Sequence, residues 1–580
     1  MNESWERIQQ MLIGWDVRLE MNDGLVLRAD VFRPEGDGRY PVILAYGPYA
    51  KGLTFQEGYV DAWRAMVEDH SDVEAGSSNR FQAWEVCDPE KWVPDGYVCV
   101  RVDARGWGRS AGYIEPWSPR EAQDLYDCIE WAGEQTWSNG KVGLLGISYY
   151  AINQWQVAAL QPPSLTAMIP WEGFADFYRE LSYHGGIASD MKNVWYRRTT
   201  TTVQHGLGDR AAKNPNTGEL VAGPETLTDQ ELEANRSDFI GDIDAHPLDD
   251  AFHRERSADF DRITVPFLSS GNWGGSSLHL RGNVEAFVRA ASQQKWLEVH
   301  GLEHWTEFYT DYGVRLQKRF FDHFLKGIDN GWADQPKVML RIRTADGEFL
   351  DRTEDEWPIA RTHWTTLYLD PGAGTLSGEP AATPSEASFD AHENDGVTMS
   401  TPRLAEEIEI TGPVAAKLFV SSDTADADLF LALRVFEPSG KEVVFIGAND
   451  PRTPVGLGWL RASHRKLDAK QTLPYRPYHT HDELWPLTPG EPVELDVEIW
   501  PTCIVVPPGY RIGLTVRGKD YEYDGTAAEV PHASYPMRGV GPFTHTNPQD
   551  RPPAIFGGRN TLHFGKNGAP YLLLPIIPKA

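Results

Sequence analysis

Short apolar runs and amphipathic stretches alternate along the first third of the chain. "DVRLEM" and "LVLRADVFRP" flank Asn22-Asp23-Gly24, a turn signal that makes them a hairpin. "YPVILAYGPY" and "YVCVRVDARGWGRS" read as buried strands running into loops. "SPREAQDLYDCIEWAG" starts a helix: Ser118 and Glu121 have capping-box spacing, Pro119 stands at its first position, and Ala122, Leu125, Ile129 and Ala132 share one face. "KVGLLG", "YYAINQWQVAALQ" and "LTAMIPWEG" continue as strand, helix and strand. This rhythm predicts a largely parallel sheet covered on both faces.

From about residue 180 to 255 the rhythm breaks into polar helical stretches and Gly/Asn/Pro loops, as expected of a cap inserted into the sheet domain. It resumes with "ITVPFLSSGNWGG", "HLRGNVEAFVRAAS", "KWLEVHG" and "GVRLQKRFFDHFLKG". From about Pro336 short alternating strands take over ("KVMLRIR", "VAAKLFVSS", "LFLALRVFE", "VELDVEIW", "YRIGLTVRG"). They predict an all-β jelly-roll sandwich. The expected organisation is an α/β-hydrolase domain over 1–180 and 258–335, a helical cap over 181–257 and the sandwich over 336–580.

Composition narrows the function. A net charge of -30 disfavours nucleic-acid and membrane-surface roles. Cys87, Cys99, Cys128 and Cys503 form no C-x-x-C pair or disulfide framework, "MNESWERIQQMLIGWDVRLE" lacks signal-peptide character, and no apolar run reaches membrane-span length. A soluble cytoplasmic protein is expected. The chain carries 21 Trp, 22 Tyr and 23 Phe, enough to fill cores and still line an apolar or aromatic pocket.

"GLLGISYYA" carries the chemistry. An apolar strand ends at Gly146, Ser148 follows, and a helix begins: the frame of a nucleophile elbow, in which a helix N-terminus favours developing negative charge. Tyr150 stands where G-x-S-x-G has its second glycine, and Ala151 offers a small residue one step later. The frame alone leaves two readings of Ser148, an activated nucleophile or a helix cap.

With "MNDGLVLRADVFRP", "GPYAK", "DARGWGRSAG", "QTWSNGKVGLLGISY", "ADFYRE", "FFDHFLKG" and "GPVAAKLFVSSDTADADLFLALRVFEPSGK" in this order, the chain resembles the CocE/NonD hydrolases. These are α/β-hydrolases that include cocaine esterase, α-amino-acid ester hydrolases and X-Pro dipeptidyl-peptidase-like enzymes. The resemblance covers nearly the whole chain and implies that Ser148 is the nucleophile. It further implies an oxyanion hole made by the Tyr49 hydroxyl and the Tyr149 backbone N–H. His304 follows the strand "KWLEVHG" where the family places its base; His300, within the strand, reads as structural, and His279 and His184 are weaker alternatives.

The acid departs from the pattern. The family's Trp-Tyr-Asp-Gly is "SSGNWGGSS" here, with Gly274 in the aspartate's place. Three readings follow. The acid is absent and the protein degenerate; or Glu303 or Asp311, near the base, serves; or the acid has moved to Glu172, at the tip of the strand after the elbow. Glu172 is favoured, because a carboxylate at a strand end is costly unless paired and a triad histidine is such a partner. Neighbouring Glu303 and His304 point apart on an extended segment.

Asp103 and Arg105 read as a turn brace, His184–Gly186 as cap structure, and His479–His481 lack a third metal ligand. No dinucleotide or phosphate loop is present, so no cofactor or metal is expected. The expected function is serine hydrolysis of carboxylic esters, and of amides, through an acyl-enzyme. The expected partner is a small-molecule substrate, bulky or aromatic if the insertion "FQEGYVDAWRAMVEDHSDVEAGSSNRFQAWEVCDPEKW" walls the pocket; self-association is left open. The alternatives are an X-Pro dipeptidyl-peptidase-like aminopeptidase and a non-catalytic binding protein.

Overall fold

The computed structural model describes residues 4–393, 395–527, 537–565 and 568–579. Strands β1 (Ser4–Ile8), β2 (Met11–Glu20), β3 (Val26–Pro34), β4 (Tyr40–Gly47), β5 (Val98–Asp103), β6 (Ser138–Ile147) and β7 (Leu165–Trp171) come first. A two-residue hairpin, β8 (Tyr183–His184) and β9 (Ile187–Ala188), stands apart, followed by β10 (Phe267–Asn272), β11 (Lys295–His300), β12 (Val338–Arg343) and β13 (Phe349–Glu354). Eleven of them form one sheet in the order β1-β2-β3-β5-β4-β6-β7-β10-β11-β12-β13. The run from β5 through β12 is parallel, and the strands outside it are antiparallel.

Each parallel crossover has its helix. Pro119–Glu134 begins at Ser118, whose hydroxyl accepts the Glu121 N–H at 3.4 Å. Asp311–Lys326 is capped by Thr310 and ends at Gly327 in the left-handed region. The two faces of the sheet bury separate apolar clusters. One holds Leu125, Ile129, Ile152 and Trp155; the other holds Phe320, Phe321 and Leu325 with the aromatics of the insertion, Phe55, Trp63 and Trp84. The segment after β9 contributes the helix Met191–Val203 and three shorter helices, Asp229–Ala234, Phe239–Asp244 and Ala251–Arg254.

"KVMLRIR" was expected to open the sandwich, and this is corrected: it is β12, paired in parallel with β11 and continued by β13. Its alternation suits an edge of either sheet, so the pattern did not assign it. The second sheet, of 12 strands among the described residues, starts at His363. Ile408–Ser422 pairs with Val493–Val506 on one side and Tyr571–Ile577 on the other, and Tyr571–Ile577 pairs with His363–Asp370, so the sheet closes on itself like a barrel. Trp273, Leu280 and Val284 of the first unit share an apolar cluster with Phe430, Trp459 and Trp500 of the second. Among the described residues no helix is long and apolar enough to cross a membrane.

Candidate active site

Register brings the site together. Ile147, Trp171, Ser270 and Glu298 lie side by side across β6, β7, β10 and β11. The next residues along β6 and β7 are Ser148 and Glu172, which therefore leave the same edge of the sheet as neighbours. Ser148 has φ 57 and ψ -116, and its N–H donates to the carbonyls of Trp171 and Glu172, both at 3.1 Å. The helix Tyr149–Leu160 starts immediately after it. Such a turn holds the hydroxyl beyond the strand ends.

Tyr150 fits without the second elbow glycine because the small residues lie on the strands beneath it. A Cβ on Gly47 would stand 2.6 Å from Tyr150 Cε1, and one on Gly146 would stand 2.4 Å from Tyr150 Cβ. Ala151 lies against Gly173, where a Cβ would come within 2.7 Å of the Ala151 methyl.

Glu172 meets His304. The carboxylate Oε2 lies 2.8 Å from Nδ1 of His304. The Glu172 backbone is itself left-handed, at φ 49, and its N–H donates to the Ser270 carbonyl at 2.7 Å. Burial pushes the Glu172 pKa up, but the charge on His304 and the hydrogen bonds of His300 and His304 outweigh it and hold the group at about 2. The other oxygen, Oε1, lies 3.0 Å from Nε2 of His300 and accepts from Asn272 Nδ2 at 3.2 Å. His300 in turn places Nδ1 2.8 Å from Glu298, which also accepts from the Ser270 hydroxyl at 2.5 Å. His300, read from the sequence as structural, thus has a direct contact with Glu172.

Gly274 does not leave a hole. A Cβ there would come 2.3 Å from Gly447 Cα, and the Ala448 N–H donates to the Gly274 carbonyl at 3.1 Å. A loop of the second unit occupies the space an aspartate needs. The same loop holds His304, whose N–H donates to the Ala448 carbonyl at 3.0 Å. Glu303 accepts instead from the Thr306 hydroxyl, and Asp311 pairs with Arg315.

Tyr49 accepts from the indole N–H of Trp195 at 3.0 Å, which leaves its own hydroxyl proton to donate. Burial raises its pKa well above that of an ordinary phenol. Tyr149 is the first helical residue, so its N–H has no intrahelical acceptor. Its side chain points away and donates to Glu121 at 2.5 Å. Tyr49, Ser148 and His304 line one cavity of about 710 Å³, with Tyr59 and Trp84 from the insertion, Trp195 and Arg198 from the segment after β9, and Asn449 from the second unit.

Two site residues had no motif to mark them: Trp195, which orients Tyr49, and Glu85, whose Oε1 lies 3.1 Å from Nε2 of His304. The one available signal for Glu85 was a lone carboxylate in the apolar "AWEVC", costly to bury unless paired. Other candidates fall elsewhere. His279 stacks on His304 at 5.1 Å. His184 pairs with His545, its Gly185 and Gly186 pack on Trp459 and His464, and His481 faces His464 at 3.0 Å. Asp103 accepts the backbone N–H groups of Lys51 and Arg109, a turn brace as expected. Among the described residues no group of three or more His, Cys, Asp and Glu is placed to hold a metal ion.

Comparisons with known proteins show the family. Residues 23–306 match the X-Pro dipeptidyl-peptidase (S15 family), and residues 330–572 match the X-Pro dipeptidyl-peptidase C-terminal non-catalytic domain. Cocaine esterase of Rhodococcus sp. is 26% identical, the alignment covering 97% of this chain and 98% of that one. A putative serine esterase of Mycobacterium tuberculosis is 25% identical over 86% of this chain and 89% of its own. The crystal structure of a CocE/NonD family hydrolase from Staphylococcus aureus is 31% identical and superposes with a TM-score of 0.84, covering 99% of this chain and 96% of that one. Elbow, sheet order and matches along both units converge: the chain belongs to the CocE/NonD family of serine hydrolases.

Proposed function

We propose that Ser148, His304 and Glu172 form the catalytic triad of a carboxylic ester hydrolase, with the Tyr49 hydroxyl and the Tyr149 N–H as its oxyanion hole. The supporting observation is the contact of Glu172 with Nδ1 of His304 at 2.8 Å, His304 lining the same cavity as Ser148. The Ser148 oxygen attacks the substrate carbonyl carbon while His304 Nε2 takes its proton. The two donors stabilise the oxyanion, and the intermediate collapses as His304 returns the proton to the leaving alcohol. Water then attacks the acyl-enzyme by the same route, and the acid and free Ser148 result. The relocated acid argues against a degenerate triad.

The aromatic wall favours a bulky or aromatic substrate: Tyr59 and Trp84 stack at 3.7 Å beside the cavity. A second reading, an X-Pro dipeptidyl-peptidase-like aminopeptidase, draws on Glu85, a carboxylate in the cavity that suits an ammonium group. Fluorophosphonate labelling tests the triad. The wild type should label at Ser148 and Ser148→Ala should not; absence of labelling in folded wild type would sink the proposal. Turnover of p-nitrophenyl esters against Ala-Pro-p-nitroanilide divides the two readings, and faster ester cleavage is expected.

A further inference from the structure

Glu85 touches the catalytic histidine on the side the reaction needs. Its Oε1 lies 3.1 Å from His304 Nε2, the nitrogen that must take the Ser148 proton. The placement is built into the backbone. Glu85 sits at φ 61, and its carbonyl accepts the Ile147 N–H at 3.0 Å, which pins it to the end of β6 one residue before the nucleophile. Any Cβ at Gly146 would press on that carbonyl at 3.1 Å. The residue is 2% exposed, yet it lines the cavity with Ser148 and His304.

We propose that Glu85 tunes the base: it competes with Ser148 for His304 Nε2, and its withdrawal from that nitrogen precedes nucleophilic attack. This rests on the triad reading given above. Glu85 acts through the histidine and touches no reacting carbon, so it is a positioning residue.

The charges around His304 give the consequence. Glu172 faces Nδ1 from β7, Glu85 faces Nε2 from the insertion, and His279 stacks on the ring from the start of the helix Leu280–Arg289. Burial disfavours the His304 proton, but Glu172 first and Glu85 second outweigh it and raise the group to about 10. His279 adds no positive charge, because burial and then His304 hold it well below the ordinary histidine value. Behind Glu172 stands His300, already bonded to that carboxylate. Around Glu85 are the phenols of Tyr49, Tyr59, Tyr150 and Tyr309, all raised by burial first and therefore neutral. Arg198 lines the same cavity and lies over the Tyr59 ring.

A protonated imidazole cannot accept the serine proton, so activity rises with pH as His304 loses its charge. Removing the Glu85 charge makes that loss easier and moves the acid limb to lower pH. The test uses the full chain as wild type, Glu85→Gln and Glu85→Asp. kcat/KM for an uncharged aryl ester is measured from about pH 5 to about pH 10, beside the rate of fluorophosphonate labelling of Ser148. The Gln variant should show its acid limb displaced to lower pH, and roughly tenfold faster labelling at about pH 6 for each pH unit of displacement. Glu85→Asp, which draws the carboxylate back by one methylene, should fall between. If Glu85→Gln does not fold, Glu85→Asp carries the test. Coincident limbs in the folded variants, or slower reaction than wild type at every pH, would overturn the proposal. Failure of the triad reading looks different: the wild type itself would not label, or Ser148→Ala would label equally.

Discussion

Glu172 is wedged between two imidazoles, and each of its oxygens serves a different one. In the proposed triad, replacing the carboxylate by an amide removes the charge that stabilises the His304 imidazolium during transfer. Glu172→Gln should lower kcat by about 10³–10⁴-fold with little change in KM, as expected for an interaction realised in the transition state. Steady-state and single-turnover rates check it, with circular dichroism to show that the variant is folded; near-wild-type kcat would reject Glu172 as the acid. His300 acts one step back. It is buried between Glu172 and Glu298, and burial, outweighed first by the Glu298 charge, leaves it raised to about 10. His300→Gln keeps a donor for Glu172 but loses the positive charge, so a smaller loss is expected, roughly 10–100-fold in kcat, the range seen when an outer partner of a ligand is removed. Because the lost charge no longer draws on Glu172, the acid limb of kcat should also move to higher pH. A fall in activity without that movement would mark His300 as a packing residue only.

Strands and loops decide what the residues can do. Restoring the family aspartate at Gly274 looks reasonable in sequence and is wrong in space, because the new Cβ would meet the Gly447 backbone at 2.3 Å. Backbone cannot rotate aside like a side chain. Gly274→Asp should therefore destabilise the protein by about 1–3 kcal/mol or more and should not restore activity to Glu172→Gln. Urea unfolding and the double variant's kcat read the two halves of this expectation. The same contrast explains what was legible. Ser148 and His304 follow recognisable strands, and Glu172 could be placed beside them because a parallel sheet aligns its strand ends, so the residue after β7 falls beside the residue after β6. Glu85 had only its lone carboxylate among apolar residues to mark it, and its position was not legible, since it lies in an irregular insertion whose path depends on contacts distant in sequence, such as the Ile147 N–H. The alternation of β12 was clear, but which sheet it joins depends on the partner strand and not on its own pattern.

The second unit holds part of the proposed active site, so in that reading stability and catalysis are coupled through the interface. The Ala448 carbonyl accepts the His304 N–H, and the helix bearing Arg281 presses against the loop after β7, where a Cβ on Gly282 would stand 2.3 Å from the Ala175 nitrogen. Arg281 is 3% exposed and joins the two units, bonding Glu180 at 2.9 Å in one and Glu498 at 3.1 Å in the other. Burial alone would push both carboxylates toward the neutral form, and the Arg281 charge is the first influence that opposes it at each. Arg281→Leu leaves both without that partner, and breaking a buried pair in this way costs about 3–5 kcal/mol. Calorimetry should show one transition moved to lower temperature, because the shared apolar cluster of Trp273, Leu280, Phe430 and Trp459 keeps the two units from unfolding separately. Two separated transitions in the wild type would refute that coupling. Adding Glu180→Leu and Glu498→Leu to Arg281→Leu removes the two buried carboxyl groups left without that partner and should recover part of the loss, since a buried ion cluster can be replaced by well-packed apolar groups. If the triple variant is no more stable than Arg281→Leu alone, Arg281 supports the interface by packing and not by neutralising charge.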